Sequence, residues 1–193
     1  MKEFDTYNYT VQARNFHYDN FSKWMTYYYV AVAAVFVAFY SYNSEDIISL
    51  LIVALGCFIS ILWHLSCKGY YFWIKNWTDL INRLENQNSI ELEKVYSVFS
   101  NNIWKKNNNL LSPTQSANIS TSKVTLTLSF GICFFWFFIF ADKLISKFQS
   151  IEIDYCFVFV IALVLELLAI FIFGQFLKSD LSKHKLIDCK TDE

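Results

Sequence analysis

The chain has 193 residues, 55% of them hydrophobic and 20% aromatic, with a formal net charge of −1 and a mean hydropathy of +0.30. So apolar a composition excludes an ordinary soluble domain, and the near-neutral balance excludes nucleic-acid binding driven by a basic surface. Four Gly and one Pro specify few turns, so long helices are expected.

The first element, residues 1–23, is a polar and aromatic arm, MKEFDTYNYTVQARNFHYDN and onward. It has no short apolar run followed by small residues, so no cleaved signal peptide is expected. Span one follows from Trp24 to Tyr42, and span two from Asp46 to Cys67. The link of Asn43 to Glu45 is so short that it forces an antiparallel hairpin. Span three runs from Val124 to Ile145 and span four from Ile153 to Leu177. A bilayer core of ~30 Å takes ~20 residues of helix, and lipid demands that backbone groups bond internally. Trp24, Tyr27, Tyr28, Tyr40, Tyr42, Trp63 and Tyr155 stand near the span ends, as interfacial aromatics do.

Between spans two and three, residues 68–123 form a polar segment. Its first part, KGYYFWIKNWTDLINRLENQ, keeps helical period. Tyr70, Trp73, Trp77, Ile81 and Leu84 fall on one stripe, with Lys75, Asp79, Asn82 and Arg83 away from it. A continuous helix from Asp46 to Glu85 would be about 60 Å long, with half of it beyond the bilayer. After NQNS, a second apolar stripe (Leu92, Val95, Tyr96, Phe99 and Ile103) predicts a second arm and hence a helical hairpin. Its stripes would bury against each other or against another subunit. The Tyr70–Trp77 aromatics could also anchor at the lipid interface or stack nucleotides. Residues 105–123 read as a linker, and 178–193 as a polar tail.

Fourteen of the sixteen Lys and Arg lie in the arm, the central segment and the tail; only Lys143 and Lys147 lie in the opposite loops. Both termini and the central segment are therefore expected on the cytoplasmic side. Cys57, Cys67, Cys133, Cys156 and Cys189 form no CxxC pair and read as free thiols that fill apolar space.

The chemistry-bearing residues lie within the spans. The stretch FVFVIALVLELLAIFIF, residues 157–173, is broken by Glu166 alone. A mid-membrane carboxylate costs a few kcal/mol and is normally turned inward, partnered or protonated. Ser60, Ser129, Thr125, Tyr155 or the same Glu166 of a neighbouring subunit are the candidate partners. The acid could serve as a neutral hydrogen-bonding group, a member of a carboxylate ring around a pore, or a proton carrier. On span two, Ser49, Gly56, Ser60, His64 and Cys67 share a small and polar face. Such a face allows close helix packing or lines a wet path. Ala31, Ala34 and Ala38 make a small face on span one, and Thr125, Ser129 and Trp136 share a face on span three. On span four, Tyr155, Phe159, Ala162, Glu166, Ala169 and Phe173 lie together. Arg14 and His17 could reach His64 as a polar cluster near the interface.

No enzyme is expected. His17, His64 and His184 match no metal spacing, and GxSxG, Walker A and HExxH patterns are missing. No cofactor or metal is implied. Spans one-two and three-four do not resemble each other, which disfavours an inverted-repeat transporter. A homo-oligomer around an axis is the economical way for four helices to form a path.

The runs RNFHYDNFSKWMTYYYVAVAAVFVAFY and ISILWHLSCKGYYFWIKNWTDLINRLE, within residues 14–85, resemble small four-span bacterial membrane effectors of anti-phage operons, the Hailong type. That resemblance implies an oligomeric channel of the inner membrane. It also implies a soluble operon partner, a nucleotidyltransferase making a nucleotide or oligonucleotide signal, and depolarisation when the channel opens. No binding residue carries over from it. The expected fold is an all-α integral membrane protein of four spans with a cytoplasmic helical hairpin. The expected function is a homo-oligomeric channel whose polar path uses Glu166, Ser60, His64 and Ser49. Lys105 and Lys106 are candidate contacts for an anionic ligand. A non-conducting adaptor that recruits a soluble partner, and a membrane enzyme or chaperone acting on lipids, are the alternatives.

Overall fold

A forty-residue helix is about 60 Å long, twice the thickness of a bilayer core. The computed structural model, which describes residues 2–42, 47–86, 120–148 and 155–178, contains two of them. They are α1 (Lys2–Ser41) and α2 (Ile47–Asn86). The shorter α3 (Thr121–Phe148) and α4 (Tyr155–Phe176) follow. All four are long and apolar enough to cross a membrane, and no strand occurs among the described residues. The second arm of the expected hairpin, with Lys105 and Lys106, lies outside the described residues.

The arm at 1–23 is the first half of α1, continuous with span one. Neither Gly nor Pro interrupts it. Its hydroxyls bond back onto the helix rather than competing with it: Thr10 Oγ1 donates to the Thr6 carbonyl at 2.8 Å and Thr26 Oγ1 to the Ser22 carbonyl at 3.1 Å.

α1 and α2 pair antiparallel along their whole length. The rungs run from Tyr7 on Glu85, through His17 on Trp77 and Phe21 on Tyr70, to Met25 on Trp63 and Cys67. Tyr28 then meets Ser66, oxygen to oxygen at 2.9 Å. The outer half of α2 therefore buries its stripe on α1, with Ile74, Ile81 and Glu85 innermost. Tyr70 and Trp77 are half-buried on the same side, Leu84 is half-buried, and Trp73 turns toward α4. Burial pushes the Tyr70 phenol above its ordinary range.

α2 is the centre of the molecule. α1 and α3 pack along it, α4 packs on α3, and α4 only brushes α2. One core gathers Val35, Val53, Ile61, Cys133, Trp136 and Val158. A second gathers Met25, Val32, Trp63 and Cys67 between α1 and α2. Val32 and Val35 carry α1's packed face, while Ala34 is exposed and Ala31 and Ala38 are half-buried. The opposite faces stay apolar and uncovered: Val160, Val164, Leu167, Leu168 and Ile172 of α4, and Val30 and Val37 of α1, are exposed. Apolar surface on that scale belongs against acyl chains or other subunits.

Candidate intramembrane polar seam

Small side chains on one face of α2 let α3 approach closely. Gly56 has no Cβ, and one placed there would overlap the indole of Trp136, which fills that space. Around this contact, Ser49, Ser60, His64 and Glu166 are all buried, Ser60 and Glu166 completely. The four residues expected to form a polar path thus lie in the α2–α3–α4 seam of one chain, turned away from its outer surface.

Each polar group in the seam is held differently. Ser60 Oγ donates to the Cys57 carbonyl at 2.9 Å. Ser129 Oγ donates to the Leu126 carbonyl at 2.9 Å and lies 3.1 Å from His64 Nδ1. With its one proton on the Leu126 carbonyl, the Ser129 hydroxyl is an acceptor for a proton on His64 Nδ1. Phe130 packs against that ring, with centroids 5.6 Å apart.

Glu166 is different. Neither carboxylate oxygen has a hydrogen-bond partner among the described residues. Its polar neighbours are thiols. The buried thiols of Cys133 and Cys57 lie in its neighbourhood, and Cys133 is also near Ser60. Of the expected partners, Ser60 and Ser129 are bonded elsewhere, Thr125 Oγ1 donates to the Thr121 carbonyl at 3.0 Å, and Tyr155 is exposed. Phe159 is half exposed but sets its ring edge-on to Phe134, centroids 4.9 Å apart, and the span-four face that packs is Val158, Ala162, Glu166, Ala169 and Phe173.

The expected cluster of Arg14, His17 and His64 does not form. His17 lies 6.0 Å from Trp77, ring to ring, while His64 faces Ser129. Thirteen residues of α2 separate Trp77 from His64, about 20 Å of helix. Two features escaped the sequence reading. One is the buried Tyr7–Glu85 hydrogen bond of 3.0 Å at the far end of the α1–α2 pair. The other is Met25, whose sulfur accepts from Trp63 Nε1 at 3.2 Å and receives the Cys67 thiol at 3.7 Å. A Met at interior spacing on α1 was the available signal for the second.

No curated protein and no solved structure matches the chain. A family model does match, over residues 4–145, which takes in α1, α2 and most of α3. Its members are described as octameric membrane proteins, which agrees with the uncovered apolar faces and points to a homo-oligomer. The chain belongs to the octameric membrane protein family, 8xMP.

Proposed function

We propose that the protein is a homo-oligomeric ion channel of the bacterial inner membrane, with both termini cytoplasmic, opened by a cytoplasmic signal. That signal is a nucleotide or oligonucleotide, or release from a soluble operon partner. The biological role is anti-phage defence by depolarisation. No catalytic step belongs to this reading. The observation that carries it is Glu166: a fully buried intramembrane carboxylate without a hydrogen-bond partner among the described residues. Such a group is costly, and a merely structural seam would favour an apolar residue of similar volume.

In this reading the described conformation is the closed one. α2 is a single rigid element that carries Cys57 beside Glu166 at one level and Glu85 bonded to Tyr7 at the other. A signal that shifts the outer α1–α2 pair moves the same helix that seals Ser60, His64 and Glu166 against α3. Opening the seam would let water reach these groups. The concentration of Lys and Arg in the arm, central segment and tail supports the orientation.

The test is a potential-sensitive dye in bacteria carrying the gene with its operon partner, before and after phage infection. Depolarisation on infection that requires the membrane protein and changes with Glu166→Gln supports the proposal. An unaltered membrane potential under the same infection contradicts it and leaves the adaptor. The adaptor reading draws on Tyr9 and Phe16, which are 71% and 64% exposed on the outer half of α1 and offer an aromatic surface to a soluble partner.

A further inference from the structure

Outside the polar seam, a groove of about 760 Å³ runs between α2 and α4. It exists because α4 leans on α3 and only brushes α2. Two glycines widen it. Nothing lies within 4 Å of where a Cβ on Gly69 would stand, and one on Gly174 would only touch the Leu65 side chain at 3.7 Å.

The groove is amphipathic along its length. Leu65, Leu167 and Phe171 wall the part within the spans. At one end Lys68 and Lys178 enter the lining together with Gln175, and Trp73 follows about one helical turn past Lys68. Lys68 directly follows the apolar run that ends at Cys67, and Lys178 directly follows Leu177. Both ammonium groups therefore stand at the level where two spans leave hydrocarbon, on the same side of the membrane. Lysines there extend toward the headgroup layer. None of the described residues that line the groove carries a carboxylate.

We propose that this groove holds an acyl chain of an anionic phospholipid, with its phosphate between Lys68 and Lys178. The apolar walls fit the chain, and the paired lysines fit the phosphate; basic pockets between transmembrane helices recognise anionic headgroups in this way. A second copy of the chain is the weaker occupant. It would bury two ammonium groups against a lining whose described residues include no carboxylate, and an uncompensated buried charge is strongly unfavourable. The proposal does not depend on conduction or on which side is cytoplasmic, since both leaflets contain phospholipid.

The test uses the full chain reconstituted in vesicles, with a Phe171→Trp variant reporting from the apolar part of the groove. Quenching by brominated phosphatidylglycerol is compared with quenching by brominated phosphatidylcholine at equal mole fraction, and the wild-type protein subtracts the native tryptophans. The expected result is preferential quenching of the introduced indole by phosphatidylglycerol. Lys68→Gln or Lys178→Gln should each lower that preference about fivefold, and the double variant about thirtyfold. Inorganic phosphate should leave it unchanged. Equal quenching by the two lipids, a preference indifferent to the lysine variants, or displacement by inorganic phosphate would overturn the proposal. So would a Phe171→Trp protein that no brominated lipid quenches, because a neighbouring subunit covers the groove.

Discussion

The indole of Trp136 occupies the space that a side chain on Gly56 would need. The same ring lies 4.7 Å from Phe36 and 5.8 Å from Phe39, centroid to centroid, so one residue of α3 ties α1 and α2 together. Gly56→Ala should push α2 and α3 apart and destabilise the protein by about 1–3 kcal/mol, the usual cost of overpacking. Gly69→Ala, where a methyl meets open space, should be neutral or stabilising by up to ~1 kcal/mol. The thermal midpoints of the two variants in detergent check this, and equal midpoints would contradict the close approach.

Replacing Glu166 tests its energetic state. Both oxygens lack hydrogen-bond partners among the described residues, so Glu166→Met, which keeps volume and removes the carboxylate, should stabilise the protein by roughly 1–3 kcal/mol. A lower midpoint for Glu166→Met would mean that the carboxylate makes a favourable contact in the assembled protein.

At the other end of the helical pair, Tyr7 donates to Glu85 Oε1 at 3.0 Å in a buried setting. Tyr7→Phe removes a buried donor and should cost about 1–3 kcal/mol locally. The loss should show as faster amide hydrogen exchange in the first half of α1 and the last turns of α2. Exchange near Gly56 should not change. Uniform acceleration along α2 would contradict local pairing.

How much of this was legible in the sequence depends on the kind of signal. The length of α2 was, because no Pro breaks it and the stripe continues past the membrane boundary. Its seam of Ser49, Gly56, Ser60 and His64 was as well, because small and polar residues recur there at helical spacing. The partner of the outer stripe was not. α1's arm is mixed polar and aromatic, with Tyr7 and Thr10 buried among Tyr9 and Phe16 that are exposed, so its packed face has no clear apolar period. Glu166's surroundings within its own chain were not legible either. Ser60, Thr125 and Ser129 were the natural partners by chemistry, but in a helix each hydroxyl finds a carbonyl three or four residues earlier in its own backbone. That left the carboxylate to Cys57 and Cys133, residues that read simply as fillers. Likewise Ala31, Ala34 and Ala38 form a small face that the packing does not use, because Val32 and Val35 fit the seam with α2 and α3 instead.

The proposed orientation can be checked with a native cysteine. Cys156 is exposed near the start of α4, while Cys57, Cys67 and Cys133 are buried. With both termini cytoplasmic, a membrane-impermeant maleimide should label Cys156 in intact spheroplasts of a Cys189→Ser variant. Labelling only after lysis would reverse the topology.

The central claim is that the assembled protein conducts ions, and planar-bilayer recording of the purified oligomer tests it most directly. Recordings with and without extract from phage-infected cells should show discrete conductance, and Glu166→Gln should change its ion selectivity. A membrane that stays silent under both conditions, with the oligomer shown to be inserted, would contradict the channel.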